Sequence, residues 1–120
     1  MSNAQPAAGD LFQALVEHSS DAIVLVDATG KVLFLSQTSE RLLGHPIAER
    51  LGKSAFEHVH PDDAPALEAL FVELLRQPRV PMTMVARTLH RDGGWRHIET
   101  VAVNRLDDPT VGAIVANFRD

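Results

Sequence analysis

One stretch limits what this chain can fold into more than any other: His90-Arg91-Asp92-Gly93-Gly94-Trp95-Arg96-His97-Ile98-Glu99. Asp-Gly and Gly-Gly pairs supply the positive φ that a tight turn needs. Runs that read as strands lie on both sides. Upstream, Val80 to Leu89 places Met82, Met84 and Ala86 on one face and Thr83, Val85 and Arg87 on the other. Downstream, Trp95 to Leu106 is rich in β-branched and aromatic residues. A hairpin with arms of about ten apolar residues does not stand alone in water, so further strands or helices must cover it.

The rest of the chain has room to do so. Its 120 residues suit one domain, and a chain of that length buries roughly 65% of its unfolded surface, enough for one core without staples. A formal net charge of −5, with no Lys/Arg cluster longer than a pair, argues against nucleic acid or an acidic membrane surface as partner. There is no cysteine, which excludes disulfides, thiolate metal sites, Fe–S clusters, thiol nucleophiles and thiol–chromophore adducts. No apolar run approaches the ~18 residues of a membrane span.

Taken in order, Met1-Ser2-Asn3-Ala4 looks like an expression-vector scar, and residues 1–9 form a flexible lead. The ends of the chain then read as cut ends of a longer protein. Asp10 with Gln13 resembles a capping box, and Leu11, Phe12, Leu15 and Val16 share one side of a flanking helix over 10–20. Residues 21–120 form the domain proper. Asp21 to Val26 and Lys31 to Leu35 read as strands joined through Asp27-Ala28-Thr29-Gly30, with Gly30 left-handed. Both lack clean alternation, as strands buried on both faces do. Short helical pieces follow at Ser39–Leu43, Ile47–Leu51 and Ser54–Val59, punctuated by Gly44, Pro46 and Gly52. Pro61 is expected to open the longest helix, with Asp62 and Asp63 in its first turn. Leu67, Leu70, Phe71, Leu74 and Leu75 form its apolar stripe, and Gln77-Pro78 ends it. Asp107-Asp108-Pro109 turns the chain into a last strand, Val111 to Phe118. The fold class is α+β: a five-stranded antiparallel sheet with helices across one face, plus the N-terminal helix.

That order, together with four stretches, resembles a PAS domain, the sensor module of bacterial signalling proteins. The stretches are Asp27-Ala28-Thr29-Gly30-Lys31-Val32, Ser39-Glu40-Arg41-Leu42-Leu43-Gly44, His60-Pro61-Asp62-Asp63 and Arg91-Asp92-Gly93-Gly94-Trp95-Arg96. Arg119-Asp120 is similar to the start of the Asp-Ile-Thr signature that closes many such domains. Two positions depart from the pattern. Ser36 stands where the family usually has Asn tying a strand end to the following helix, and His45 stands where an aromatic commonly follows Gly44.

The resemblance raises prosthetic groups, which need particular residues. Haem-binding relatives carry an axial His on the longer helix, and none lies between Asp62 and Gln77, so haem is disfavoured. Covalent flavin is excluded for want of cysteine. His58 and His60 with Asp62 and Asp63 have N/O ligand types suited to zinc or nickel, but helix-start chemistry accounts for them, and no metal is expected. His90 and His97 flank the hairpin and would face each other across it. No Gly-x-Ser-x-Gly elbow frames Ser19, Ser20 or Ser36, and no phosphate-binding glycine loop is present. The cofactor therefore stays unknown.

The resemblance implies a sheet face covered by helices, where a small-molecule pocket is the better candidate and a fully packed core the alternative. Its expected lining is Phe56, Leu67, Phe71, Met82, Met84, Ile98, Ala102 and Phe118, with Ala86, Ala102 and Ala116 leaving space and methionines adapting to its shape. By resemblance, Asp120 would couple the last strand to the hairpin through a basic residue, with Arg96 the candidate. The chain then reads as a non-catalytic sensory and dimerisation module. Its parent would be a sensor histidine kinase of a two-component system or a cyclic-dinucleotide enzyme, cytoplasmic or the cytoplasmic part of a membrane-anchored sensor. It would be followed by an effector domain and paired through Leu11, Phe12, Leu15 and Val16 or through the sheet. A ligand-free interaction domain, or a small enzyme using His58 or His60 as acid–base, are the alternatives.

Overall fold

Asp27 organises the first hairpin with one carboxylate oxygen. Its Oδ1 accepts from the Thr29 N–H at 2.9 Å, the Thr29 hydroxyl at 2.7 Å and the Lys31 N–H at 3.0 Å. Gly30 follows at φ +85°, a region closed to most side chains. In this computed structural model, which describes residues 21–120, the turn joins β1 (Ala22–Val26) to β2 (Val32–Leu35). The long hairpin pairs β3 (Met82–Leu89) with β4 (Trp95–Arg105), and β5 (Ala113–Arg119) completes the sheet. All neighbours are antiparallel in the order β2-β1-β5-β4-β3, so the last strand sits at the centre. The flanking helix expected over 10–20, with its Leu11, Phe12, Leu15 and Val16 stripe, lies outside the described residues.

Register fixes what each face carries. On the inner face, Val26, Ile114 and Asn104 form one row, and Val24, Ala116, Ala102 and Met82 the next. A third row runs Ala22, Phe118, Thr100, Met84. Beyond it, Ile98 lies opposite Ala86. Two alanines side by side in the second row make a hollow between bulkier neighbours.

Three helices lie on this face or at its margin: α1 (Gln37–Leu43), α2 (Ile47–Arg50) and α3 (Ala64–Arg76). Gly44 ends α1 in the left-handed region at φ +81°, and a Cβ there would stand 3.0 Å from the Arg91 Cβ. Ser36 occupies the N-cap of α1, where its carbonyl accepts from the Ser39 N–H at 3.0 Å but its side chain makes no bond to the helix. Its Oγ accepts instead from the Ile23 N–H at 2.9 Å, while its own N–H donates to the Ile23 carbonyl at 3.0 Å. The serine ties β1 to the start of α1, so the joint is made to the neighbouring strand.

Two helical expectations are corrected. Ser54–Val59 is not a helix, because its backbone groups serve the sheet edges. On the β2 side, Ala55 N–H donates to the Gly30 carbonyl, and Val32 N–H to that of Lys53. On the β3 side, His60 N–H donates to the Arg87 carbonyl, and Leu89 N–H to that of His58. The segment thus crosses the inner face from one edge strand to the other and covers both edges. Secondly, the long helix begins at Ala64, with Pro65 in its first turn, and Pro61–Asp63 form the preceding turn. The stripe itself holds: Leu74 is buried, Leu67, Leu70, Phe71 and Leu75 are partly buried, and Val72 on the far side is exposed. At its C-terminus, buried Asn104 donates from Nδ2 to the carbonyls of Leu74 (3.1 Å) and Leu75 (3.4 Å) and accepts from the Leu106 N–H (2.9 Å).

Candidate ligand cavity

The alanine hollow, the 53–60 segment and α3 enclose a cavity of about 150 Å³. All eight residues expected from sequence line it. Phe56 comes from the crossing segment, Leu67 and Phe71 from α3, Met82 and Met84 from β3, Ile98 and Ala102 from β4, and Phe118 from β5. Phe56 and Phe71 meet edge to face with centroids 5.5 Å apart. The alternation that placed Met82, Met84 and Ala86 inward also brings Thr88 to the cavity, and the Ile98/Ala102 pair brings Thr100. Carrying period two further along each strand would have found both. Ser39 from α1 and Arg50 from α2 also line it, but only the placement of those helices reveals them. Ser39 is only 7% exposed.

The polar surroundings hold the covering segment down. Arg50 pairs with Glu57 at 2.5 Å and donates to the Ser54 carbonyl at 3.4 Å. His58 stacks on His45 with centroids 4.0 Å apart and planes 2° from parallel. The Nε2 of His45 lies 2.8 Å from the Leu89 carbonyl, an acceptor only, so this nitrogen carries the proton. Burial pushes the pKa of His58 down, reinforced by the neighbouring His45 and Arg50. His60 accepts from the Asp62 N–H at Nδ1 (3.0 Å) and packs its ring beside Trp95. Among the described residues, no three His, Asp or Glu side chains group as a metal site.

Asp63 does not cap α3. Its Oδ2 accepts from the Arg87 backbone N–H (2.8 Å) and Nε (3.0 Å), and its Oδ1 from Nη2 (2.8 Å). This two-pronged ion pair fixes the start of α3 to β3, and sequence reasoning missed it because the partners are 24 residues apart. Hydrogen bonds from the Arg87 side chain, then from its backbone N–H, hold the Asp63 carboxyl well below the usual carboxylate range. A carboxylate depressed on folding adds stability above its unfolded pKa of about 3.9, and that stability fades as pH falls through the folded value. Asp63→Asn should therefore unfold at lower urea than wild type at neutral pH, with the gap closing progressively below about pH 4. A gap that stayed constant on acidification would remove the ion pair as its cause.

At the hairpin, the expected facing of His90 and His97 is corrected. His97 lies opposite Arg87, while His90 closes the turn, its N–H donating to the Gly94 carbonyl at 2.8 Å. A direct His–His facing would leave residues 91–96 in the turn, but the register sets His90 against Gly94 and leaves only 91–93 there. Arg96 and Asp120 are not brought together. Arg96 donates to Asp92 Oδ2 at 2.8 Å, and Asp120 is exposed. The ion pair at the end of β5 joins Arg119 to Glu99 at 2.7 Å. Extending the β4–β5 register puts residue 120 opposite Ile98, two positions from Arg96 on the same inner face.

The opposite face of the sheet carries a shallow groove with Val101, Val103 and Val115 along it and Glu99, Arg105 and Arg119 at its ends. Val85 and Val101 are exposed. No helix among the described residues is long and apolar enough to cross a membrane.

Solved structures share this architecture. The PAS domain of an HTR-like protein from Haloarcula marismortui superposes with a TM-score of 0.76 at 24% identity, covering 92% of this chain and 95% of that one. A domain of a sensory box sensor histidine kinase/response regulator from Geobacter sulfurreducens gives 0.77 at 22% identity, with 92% of each chain covered. The PAS-B domain of Drosophila melanogaster Cycle, solved with bound ethylene glycol, gives 0.73 at 24% identity over 82% of this chain and 97% of that one. The family described as the PAS fold matches residues 10–120. On that match, which spans the five-stranded sheet and the helices over it, this chain belongs to the PAS family.

Proposed function

We propose that this PAS domain is the sensory module of a larger signal-transduction protein and that its input is a small molecule held in the cavity. PAS domains generally sense rather than catalyse, and the sensor histidine kinase among the similar structures favours an effector of that kind, with a cyclic-dinucleotide enzyme the alternative. The cavity is the observation that carries the reading: an evolved fold packs its core closely, so about 150 Å³ left open under a cover pinned to both sheet edges asks for an occupant. The bound ethylene glycol of the Cycle domain is a small molecule held by a chain of this fold. In this reading the domain works in the cytoplasm, either in a cytoplasmic parent or as the cytoplasmic part of a membrane-anchored sensor.

Output would leave through β5, the central strand, which shares Ala116 and Phe118 with the cavity and ends one residue before Asp120. Occupancy would shift Arg96 from Asp92 to Asp120, one of two states that a ligand selects by differential affinity. Pairing of two copies through the 10–20 stripe and the exposed valines of the sheet would carry the change to the effector. A pure pairing domain without ligand is the second reading, favoured by exposed Val85 and Val101.

Native mass spectrometry with an absorption spectrum on freshly purified chain separates these readings. Bound small-molecule mass supports the sensor. An empty dimer supports the pairing domain, and an empty monomer rejects both. In the parent protein, Asp120→Asn should abolish the response to signal while leaving the domain's melting temperature unchanged; an intact response would discard the Arg96–Asp120 relay.

A further inference from the structure

We propose that the cavity is shaped for one class of ligand, a neutral molecule of about phenol's size with an apolar ring and a single hydrogen-bonding group; this rests on the reading that the cavity holds a small molecule. Size comes first. An apolar cavity of about 150 Å³ accommodates benzene, and this one has that volume. The surfaces suit a ring: Phe56, Phe71 and Phe118 offer aromatic edges and faces, and Met82 and Met84 offer thioethers that pack against them.

Charge is then excluded by what the walls lack. Arg50 is the only charged residue lining the cavity among the described residues, and its charge is already balanced by Glu57, which its Nη1 meets together with the Ser54 carbonyl. No acidic side chain among the described residues lines it. A carboxylate or ammonium ligand would leave water without a counter-charge, and such a burial is strongly unfavourable.

A polar group on the ligand is nevertheless called for. Ser39 is 93% buried on α1 and lines the cavity; its hydroxyl bonds no other described residue and is accessible rather than sealed in, since no fully buried side-chain polar atom among them lacks a partner. A helical serine ordinarily satisfies itself on the carbonyl one turn back. A hydroxyl that stays accessible is met by water, and a ligand hydroxyl can displace that water and take over the bond. Thr100 adds a second hydroxyl, set between Met84 and Phe118 in the row next to the alanine hollow. The walls thus present an apolar slot with hydroxyls at a few points, the arrangement that orients a small alcohol or phenol.

The test titrates the 120-residue chain with phenol, toluene, benzoate and benzylammonium, by calorimetry and by NMR shifts of the Ser39 and Thr100 amides. Phenol should saturate one site and bind at least about tenfold more tightly than either charged probe. Ser39→Ala, which removes a hydroxyl with no partner in the fold, should weaken phenol about fivefold and leave toluene unchanged. Ala102→Val should weaken both by filling the hollow; Ser39→Ala supplies the test if that variant is poorly folded. Equal binding of phenol and toluene, no effect of Ser39→Ala, or charged probes binding as well as phenol would each overturn the ligand class while leaving a binding cavity in place. If no probe binds and the purified chain carries no small-molecule mass, the cavity holds water only, and the sensor reading falls with it.

Discussion

Asn104→Ala is expected to lower folding stability by about 3 kcal/mol, and Asn104→Asp by more. The Asn104 side chain is 3% exposed and makes three hydrogen bonds, two to the last carbonyls of α3 and one from the Leu106 N–H. Helix ends leave their final carbonyls without intrahelical donors, and here the amide supplies them. Alanine strands those groups, each stranded group costing about 1–3 kcal/mol where it is cut off from water. Aspartate keeps the acceptor for Leu106 but sets a negative charge against two carbonyls at the negative end of the helix. The ordering Asn, Ala, Asp in urea midpoints is therefore the diagnostic. An aspartate variant as stable as wild type would show that the amide does not clamp the helix. Because α3 carries Leu67 and Phe71 into the cavity, the same variants should also loosen ligand binding.

Ile114→Ala should cost about 2–5 kcal/mol, and Ile114→Val only about 0.5–1.5 kcal/mol. Ile114 is 1% exposed at the centre of the sheet, between Val26 and Asn104 in the first inner row. It belongs to the cluster of Val26, Val32, Leu35 and Leu74, so strands and α3 converge on it. Removing three carbons leaves a void that a central strand cannot close, because β1 and β4 hold β5 on both sides. Chemical denaturation gives both numbers. A loss near that of the valine variant would mean that α3 slides inward to fill the space.

How much of this was legible beforehand depends on distance along the chain. The Asp27–Gly30 and Asp92–Gly94 turns were readable because a carboxylate and a glycine within four residues specify the bend themselves. The inward alternation of Met82, Met84 and Ala86, and the α3 stripe, were readable because a period of two or 3.6 requires no partner to be named. These periods account for seven of the eight cavity residues, while Phe56 sits on the crossing segment, where no period operates. They were also enough to suggest a helix at Ser54–Val59 that does not form, since periodicity cannot register that two distant strand edges compete for the same backbone groups.

The site's polar half was hidden for the same reason. Ser39 reads as a helix-surface residue until α1 is laid against Phe118, and Asp63 reads as a helix cap until Arg87 arrives. The Arg96–Asp92 pair lies inside a single turn, four residues apart, and is legible from that spacing alone.

Turn positions, strand faces and the α+β class were determined by the sequence alone, because each depends on backbone sterics and side-chain period over fewer than about a dozen residues. Which polar groups are spent on each other, and which stay free to meet a ligand, was decided only by the tertiary structure. Such bonds join residues far apart in the chain, and each forms only after packing has stripped the water from both partners.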